Sequence, residues 1–215
     1  METEFTFVRT ATSAMRDAMF AGLDLLPIAL FATGKDGHVL FQNRAATRLL
    51  RLSELVRTNE GVLEFASQLH NESLRKLIAR AASGNRPPEG FHLSRPSRKP
   101  LSVLVLSSAP KGLQERTANT ALVFISDPEL PQQVDTAMLE DLFGFTPAEA
   151  RVASLLMKGC DIEDVSAQLY ISKHTTRNHM RRLFSKTNTR RQSDLVHTLL
   201  GSPAHLATAA YDEAQ

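Results

Sequence analysis

Residues 171–191 concentrate positive charge in a way that suggests an anionic partner. This stretch contains no aspartate or glutamate and seven cationic side chains, namely Lys173, Arg177, Arg181, Arg182, Lys186, Arg190 and Arg191. An exposed helix usually mixes both signs, because opposite charges four residues apart stabilise it and like charges destabilise it. Phosphate groups would supply the missing negative charge. We therefore expect a nucleic-acid contact here, the alternative being a basic face that serves only solubility.

The same stretch separates into two faces when it is placed on a helix of 3.6 residues per turn. One face carries the residues expected to pack inward: Thr176, Met180, Leu183, Phe184 and Thr187. The other face carries His174, Arg177, Asn178, Arg181 and Ser185. This division predicts a helix that is anchored on its apolar side and presents its cations to a partner.

Capping residues predict the elements that position this helix. Thr146 is expected to cap a first helix, with Pro147 at its first position and Glu149 completing a capping box. Asp161 is expected to cap a second, short helix that ends near residue 169, and Ser172 a third. The three predicted starts give a short helix, a turn and a basic helix.

These motifs resemble the LuxR-type (GerE-type) DNA-binding domain. The matching stretches are Phe145-Thr146-Pro-Ala-Glu149, Gly159-Cys-Asp-Ile-Glu-Asp164-Val165-Ser166, Ile171-Ser172-Lys-His-Thr175-Thr176-Arg-Asn-His179, and Lys186 with Arg190 and Arg191. Ser166 and Thr176 replace the family's usual alanine and valine, and Thr187 and Thr189 replace apolar residues. We expect these hydroxyl side chains to loosen the inner packing slightly.

The resemblance implies a role for each exposed side chain. The third helix would enter the major groove, where arginine suits guanine and asparagine suits adenine. The implied base readers are Arg177, Asn178, Arg181 and His174, and the implied phosphate contacts are Lys173, Thr175, Arg182, Lys186 and Arg190. In this family the fourth helix also pairs two domains, which implicates Leu195, Val196 and Leu199 in dimerisation. For His179 we favour packing against the first helix over a base contact.

The N-terminal part of the chain has the pattern of an α+β domain. Strands are predicted at residues 28–32, 38–42, 91–94, 101–107 and 120–126, with a Gly34-Lys-Asp-Gly37 turn between the first two. Helices are predicted after Asn43 and at residues 72–82. Two strands, a few helices and three further strands indicate an antiparallel sheet with helices on one face.

Asp36-Gly37-x-Val39-x-x-x-Asn43-x-Ala45-Ala46-x-x-Leu49 resembles a PAS domain, over residues 23–127. The resemblance implies a small-molecule or prosthetic-group site between sheet and helices, or a dimer contact. The cofactor is unknown. The region has no cysteine for a flavin adduct, and we favour an exposed or capping histidine at His70 over haem ligation. The basic loop at residues 95–99 is interpreted as a solvated hairpin connection, with a rim for an acidic ligand as the alternative.

The predicted domain organisation has five parts. Residues 1–22 form a leading helix, 23–127 the PAS-like domain, 128–142 a linker, 143–201 an all-α domain of four helices with a LuxR-type helix-turn-helix, and 202–215 a flexible tail. In the leading segment Met15, Met19, Phe20 and Leu23 recur at helical spacing. Core packing and a subunit contact remain equal alternatives for this stripe.

Composition excludes several other classes of protein. The net charge is only +2, so the basic helix is a local feature. No apolar run approaches the ~20 residues of a membrane span, and Glu2 and Glu4 are unlike a secretory leader. A single cysteine, Cys160, is typical of a reducing cytoplasm. No metal-ligand spacing or catalytic motif is found, so we expect no enzyme and no metal site.

Two other sensor types do not fit the chain. A phosphoacceptor receiver domain needs about fifty residues before its aspartate, and Asp24 has too few. Autoinducer-binding domains typically use tryptophan, and this chain contains none.

The sequence therefore predicts a cytoplasmic, dimeric transcriptional regulator that binds double-stranded DNA and is modulated by a PAS-like sensor, with a small-molecule ligand and RNA polymerase as candidate partners. The alternative is a PAS photoreceptor or redox sensor whose basic domain binds a protein such as RNA polymerase.

Overall fold

The computed structural model describes residues 13–84, 87–108, 119–129 and 134–205, and it divides the chain into two compact units, Met1–Glu129 and Leu130–Gln215. The first unit is an antiparallel sheet with helices and the second is helical. The predicted fold class is confirmed.

The first unit is built on a five-stranded antiparallel sheet. Its strands are β1 (Ala29–Gly34), β2 (Val39–Gln42), β5 (Glu89–Arg95), β6 (Arg98–Ser107) and β7 (Thr120–Ser126), in the order β2-β1-β7-β6-β5. A separate hairpin pairs β3 (Val56–Asn59) with β4 (Val62–Phe65). The helices are α1 (Ser13–Asp24), α2 (Arg44–Leu52) and α3 (Gln68–Ala82).

The core of this unit lies on the face of the sheet that α3 covers. Phe31, Val103 and Val123 occupy neighbouring strands and are at most 2% exposed. In β6 and β7 the buried residues alternate with less buried ones, as expected where successive side chains point to opposite faces, whereas Ala29, Leu30 and Phe31 of β1 are all buried. Leu74 and Ile78, one turn apart on α3, complete the core and are also buried.

Asn43 confirms the predicted cap of α2 and holds the neighbouring segments together. Its Oδ1 accepts hydrogen bonds from the Ala46 N–H (2.9 Å) and the Leu30 N–H (3.0 Å). Its side-chain amide donates to the carbonyl oxygens of Leu23 and Ile28. Because the side chain is fully buried and fully bonded, it fixes the end of α1 and the start of β1 as well as the helix.

The structure contains a hairpin that the sequence did not predict. The β3–β4 turn places Glu60 and Gly61 at φ values of 49° and 80°, which is the geometry of a two-residue hairpin loop of type I′. β3 is mostly exposed. A short strand with one buried residue has too little alternation to be recognised from sequence.

The interpretation of residues 95–99 as a solvated connection is wrong for Arg95. The Arg95 side chain is only 5% exposed, and its guanidinium forms a two-armed ion pair with Asp127 at 2.7 and 2.8 Å. Glu129 binds the same hairpin through Arg98 (2.6 Å) and the Lys99 N–H (2.8 Å). The positive charges of Arg95 and Arg98 are thus neutralised by Asp127 and Glu129, which follow β7.

Helix α1 leaves much of its apolar stripe exposed. Met15, Met19 and Phe20 are 48%, 51% and 44% exposed, although Phe20 stacks on Phe41 with ring centroids 5.0 Å apart. The described residues therefore provide only partial core packing for this stripe. Residues 1–12 of the predicted leading segment lie outside the described residues.

The second unit packs its helices around one core. They are α4 (Thr136–Phe143), α5 (Pro147–Met157), α6 (Ile162–Leu169), α7 (Lys173–Thr187) and α8 (Gln192–Leu200), followed by a 3-10 turn at Pro203–His205. The core residues include Val152, Leu156, Val165 and Leu183.

This core extends beyond both predicted boundaries. Leu139 of α4 and Ala204 of the 3-10 turn are fully buried, so part of the predicted linker and the first residues of the predicted flexible tail belong to the folded unit. The sequence predicts a short helix at residues 132–142, whereas Ala204 is a single small residue that gives no periodic signal. The remainder of the tail, residues 206–215, and residues 130–133 of the linker lie outside the described residues.

Candidate DNA-binding surface

All three predicted helix starts of the second unit are found at the expected residues. The Thr146 hydroxyl accepts from the Glu149 N–H, and the Glu149 carboxylate accepts from the Thr146 N–H. Asp161 and Asp164 form the same reciprocal pair at α6. The Ser172 hydroxyl accepts from the Thr175 N–H at the start of α7. Each cap satisfies a backbone donor that would otherwise lack a partner.

Helix α7 has the two faces that its sequence predicts. Thr176, Met180 and Leu183 are buried at 0%, 7% and 0% exposure, while Phe184 and Thr187 are partly buried. On the other face His174, Arg177 and Arg181 are exposed and Asn178 is half-buried. The Arg181 guanidinium reaches the Asn178 Oδ1 at 3.5 Å. Three of the four implied base readers thus present most of their side chains to solvent.

Glu149 anchors the far end of α7 and was missed as a functional residue. Its side chain is 1% exposed, and the Lys186 ammonium donates to its Oε2 at 2.7 Å and to the Gly144 carbonyl at 2.5 Å. Burial raises the pKa of the Glu149 carboxyl, but the hydrogen bonds from Lys186 and the Thr146 backbone hold that pKa below its ordinary value. Lys186 therefore has a structural role, whereas its implied phosphate contact stays a prediction.

Two further implied phosphate contacts have acidic neighbours on other helices. Lys173 pairs with Glu163 of α6, and hydrogen bonding from Lys173 lowers the pKa of the Glu163 carboxyl. Arg182 lies 3.9 Å from Glu149. The basic helix is thus partly compensated by α5 and α6, which its own sequence could not reveal. Arg177 and Arg190 have no acidic partner among the described residues.

The hydroxyl residues inside the domain do not leave polar groups unpaired. The Ser166 and Thr176 oxygens lie 2.8 Å apart, and each hydroxyl also reaches a backbone carbonyl of its own helix. Thr187 bonds likewise to Thr189 and to the Leu183 carbonyl. The expected loosening is not supported here, because a satisfied buried hydroxyl avoids the desolvation cost of an unpaired one.

The implied dimer contacts on α8 need correction. Leu195 and Leu199 are both 0% exposed and lie in the domain core, so neither offers side-chain area to a second subunit. Val196 is partly buried, and Leu200, a further member of the apolar stripe, is 39% exposed. The apolar stripe of α8 thus faces the domain core, and only Val196 and Leu200 at its border remain accessible.

His179 lies against α5, as favoured. It lines a shallow cleft with Ala148, Arg151 and Val152 of α5 and with Leu169 and Ile171 of the turn. Its Nδ1 is buried and has no hydrogen-bond partner within the described residues. In the first unit, His70 bonds the Ser67 hydroxyl at the start of α3 (2.9 Å) and stacks on Phe91.

Comparison with known proteins supports this interpretation of the second unit. Residues 144–199 match the family described as "Bacterial regulatory proteins, luxR family". None of the curated proteins compared with the chain matches it.

Three similar solved structures illustrate the range of fold similarity. A phage VqmA–DPO complex is 14% identical, with 89% of this chain and 91% of that chain covered and a TM-score of 0.39. A Vibrio cholerae VqmA dimer without target DNA is 14% identical, with 85% and 86% covered and a TM-score of 0.37. The PAS domain of Bordetella pertussis BvgS is 14% identical, with 60% and 93% covered and a TM-score of 0.37. All three TM-scores are below 0.5, so no functional inference rests on them.

The second unit thus contains a helix-turn-helix DNA-binding domain. Residues 144–199 form a domain of the LuxR type, and the resemblance seen in its sequence is confirmed. In the four described stretches, every helix is too short or too polar to cross a lipid bilayer.

Proposed function

We propose that the protein is a sequence-specific DNA-binding transcriptional regulator. The observation that carries this proposal is the exposed face of α7, where His174, Arg177 and Arg181 project from a helix fixed by its buried residues and by Lys186. A rigid helix with outward cations matches the docking of a recognition helix in the major groove. DNA phosphates would add the negative charge that α7 itself lacks.

Arg177 is the strongest candidate for reading a base. It is exposed, has no acidic partner among the described residues, and lies one turn into α7. A free guanidinium can donate two hydrogen bonds to the O6 and N7 of guanine, which discriminates against the other bases. Asn178 and Arg181 follow it on the same face, while the remaining cations would position the helix on phosphates.

Selection of bound sequences from random duplex DNA tests this function directly. The full-length chain should enrich one motif, and Arg177→Ala should relax the preference at one base pair per half-site, costing about 1–3 kcal/mol there. Arg51→Ala, which removes the same charge from an exposed site on α2, should leave the motif unchanged. If Arg177→Ala lowered the affinity for every DNA sequence by the same factor, Arg177 would be a phosphate contact only. Failure of the full-length chain to retain DNA would favour a protein partner instead.

We also propose that the regulator binds as a homodimer on an inverted repeat. Two apolar patches support this: Met15 and Met19 on α1, and Val196 with Leu200 on α8. Two-fold symmetry requires half-sites about one helical turn apart, or about 10 base pairs. Footprinting should therefore give two protected clusters at that spacing.

Substitution of each patch separates the two candidate dimer surfaces. If the α8 patch forms the contact, Leu200→Glu should shift the sedimentation of the chain towards monomer. If the α1 patch forms it, the pair Met15→Glu and Met19→Glu should do so instead. Leu69→Glu on α3, at a side chain that is 70% exposed, is the matched control. A single protected cluster bound by a monomer would contradict the dimer.

The first unit is proposed to be the sensor. Its sheet and helices enclose a separate core, as suits a domain that responds to its own ligand. Adding cell metabolites to the selection experiment should alter the affinity or the motif if the unit regulates binding. A visible absorption band in the purified protein would identify a prosthetic group as the sensory element.

A further inference from the structure

Tyr170 combines an exposed side chain, a left-handed backbone and a position in the turn before α7. Its side chain is 96% exposed, the highest value among the exposed large hydrophobic residues described. The residues on either side of it, Leu169 and Ile171, are partly buried. A large aromatic ring normally contributes to folding by leaving water, and this one contributes almost nothing of that kind.

The backbone at Tyr170 also favours a different residue. Tyr170 is the C-cap of α6, with φ 54° and ψ 41° in the left-handed region. The Ile171 N–H donates to the Ser166 carbonyl and the Tyr170 N–H to the Ala167 carbonyl, which is the paired hydrogen-bonding pattern of a Schellman motif. Glycine is usual at such a position because a Cβ makes the left-handed conformation unfavourable. A tyrosine here costs stability, and its 96% exposed side chain is scarcely buried by the described residues.

The position of Tyr170 in the helix-turn-helix suggests a role for the exposed tyrosine side chain. It lies in the turn of the helix-turn-helix, two residues before Ser172, the N-cap of α7. In this motif the second helix enters the major groove by its N-terminal residues while the first helix crosses the sugar-phosphate backbone. The turn between them therefore passes beside the phosphates at the edge of the groove. Lys173 and His174, also exposed, follow directly.

We infer that Tyr170 contacts the DNA backbone by donating its phenol hydroxyl to a phosphate oxygen at the edge of that groove. This inference rests on the proposed function. Tyrosine hydroxyls are among the donors that bind phosphates and fix the register of a protein on the duplex. A single hydroxyl cannot make the two-armed contact that identifies a base. The contact is electrically neutral, so it releases no counterion.

Two substitutions of Tyr170 in the full-length chain test the contact. Tyr170→Phe removes only the hydroxyl, and its Kd should rise roughly fivefold on the selected duplex and on a random duplex alike. The slope of log Kd against log salt should be unchanged, whereas Arg190→Ala should reduce that slope by about one. Tyr170→Gly should weaken binding at least as much, while its thermal unfolding midpoint stays equal to or above that of the wild type.

Asn188→Gly is the matched control for the backbone change. Asn188 ends α7 at φ 53°. Glycine there relieves the same left-handed conformation as at Tyr170, but at the C-terminal end of α7. Its unfolding midpoint should also be equal or higher, with the affinity for DNA unchanged.

Each outcome separates this contact from the proposed function. Wild-type affinity for both Tyr170 variants, with a loss for Arg177→Ala, would overturn the Tyr170 contact and leave the regulator intact. A loss confined to one base pair would overturn the phosphate assignment in favour of base reading. Absence of DNA binding by the wild-type chain would overturn both proposals.

Discussion

Glu149 joins the start of α5 to the end of α7 with one carboxylate. It accepts a hydrogen bond from the Thr146 N–H at 2.9 Å and another from Lys186, a residue 37 positions further on. A buried charge is tolerated only when it is paired and hydrogen-bonded. The orientation of α7 therefore depends on an ionised side chain that is buried inside the domain.

Replacing this carboxylate should make the second unit less stable and less sensitive to acid. Because the folded pKa of Glu149 lies below its ordinary value of 4.5, its contribution is fully present above pH 4.5 and is lost as the pH falls through the folded pKa. Glu149→Gln should lower the free energy of unfolding by about 1–3 kcal/mol at pH 7. The difference from wild type should shrink below pH 4.5 in denaturant titrations.

Glu163→Gln is the matched control for that prediction. Glu163 also pairs with a lysine of α7 but its side chain is 61% exposed, and solvent weakens such pairs. Equal destabilisation by both substitutions would show that burial of the Glu149 carboxylate is not the cause.

Local spacing allowed some of these residues to be predicted and others not. Thr146, Asp161 and Ser172 were recognisable as caps, because a cap side chain accepts a hydrogen bond from a backbone N–H only three residues further on. The bond from Lys186 to Glu149 crosses the fold, so no sequence period announces it. The inward leucines of α8 were visible as a stripe, but a stripe does not state whether its partner is the same chain or another.

The contact between α6 and α7 contains a buried hydroxyl pair at Ser166 and Thr176. Their oxygens are 2.8 Å apart, and both side chains are at most 8% exposed. Ser166→Ala and Thr176→Val each remove one partner, so each should cost about 1 kcal/mol of unfolding free energy. The double substitution should cost less than the sum, because the interaction between the two hydroxyls can be lost only once.

A double-mutant cycle by chemical denaturation measures this coupling. Ser154→Ala on α5, whose buried hydroxyl bonds only the Arg151 carbonyl of its own helix, provides an uncoupled reference when it is combined with Thr176→Val. Additive costs for Ser166→Ala and Thr176→Val would contradict a direct interaction.

At the level of strands, alternation predicted two inner strands of the sheet but not the ion pair that joins its strands. β6 and β7 alternate clearly between buried and exposed residues, and both were recognised. The ion pair between Arg95 and Asp127 joins residues 32 positions apart, and in the sequence Arg95 is one of several cations in a loop. Burial of that one guanidinium depends on the pairing of β5, β6 and β7, which is a property of the assembled sheet.

The whole molecule has two cores, so we expect two unfolding transitions. Contacts divide the chain after Glu129, and domains with separate cores generally depart from single two-state behaviour. Asp127→Asn removes the two-armed ion pair of the buried Arg95 and leaves it only Glu129, at 3.7 Å, as an acidic partner among the described residues, so it should destabilise the first unit by about 3–5 kcal/mol. Ser166→Ala should move only the other transition. Calorimetry of the full chain resolves the two, and a single transition displaced by both variants would contradict independent cores.

The paired hydroxyls of Ser166 and Thr176 also bear on the sequence discrimination that the proposed function requires. An inner surface of alanine and valine alone would let α7 rotate a few degrees about its axis with little loss of buried area, whereas a hydrogen bond weakens with such misalignment. Arg177 lies next to Thr176 and faces outward, so any rotation there displaces its guanidinium sideways across the base pairs. Under the proposed function, rotational stiffness set inside the domain would determine how strongly binding to a wrong base pair is disfavoured.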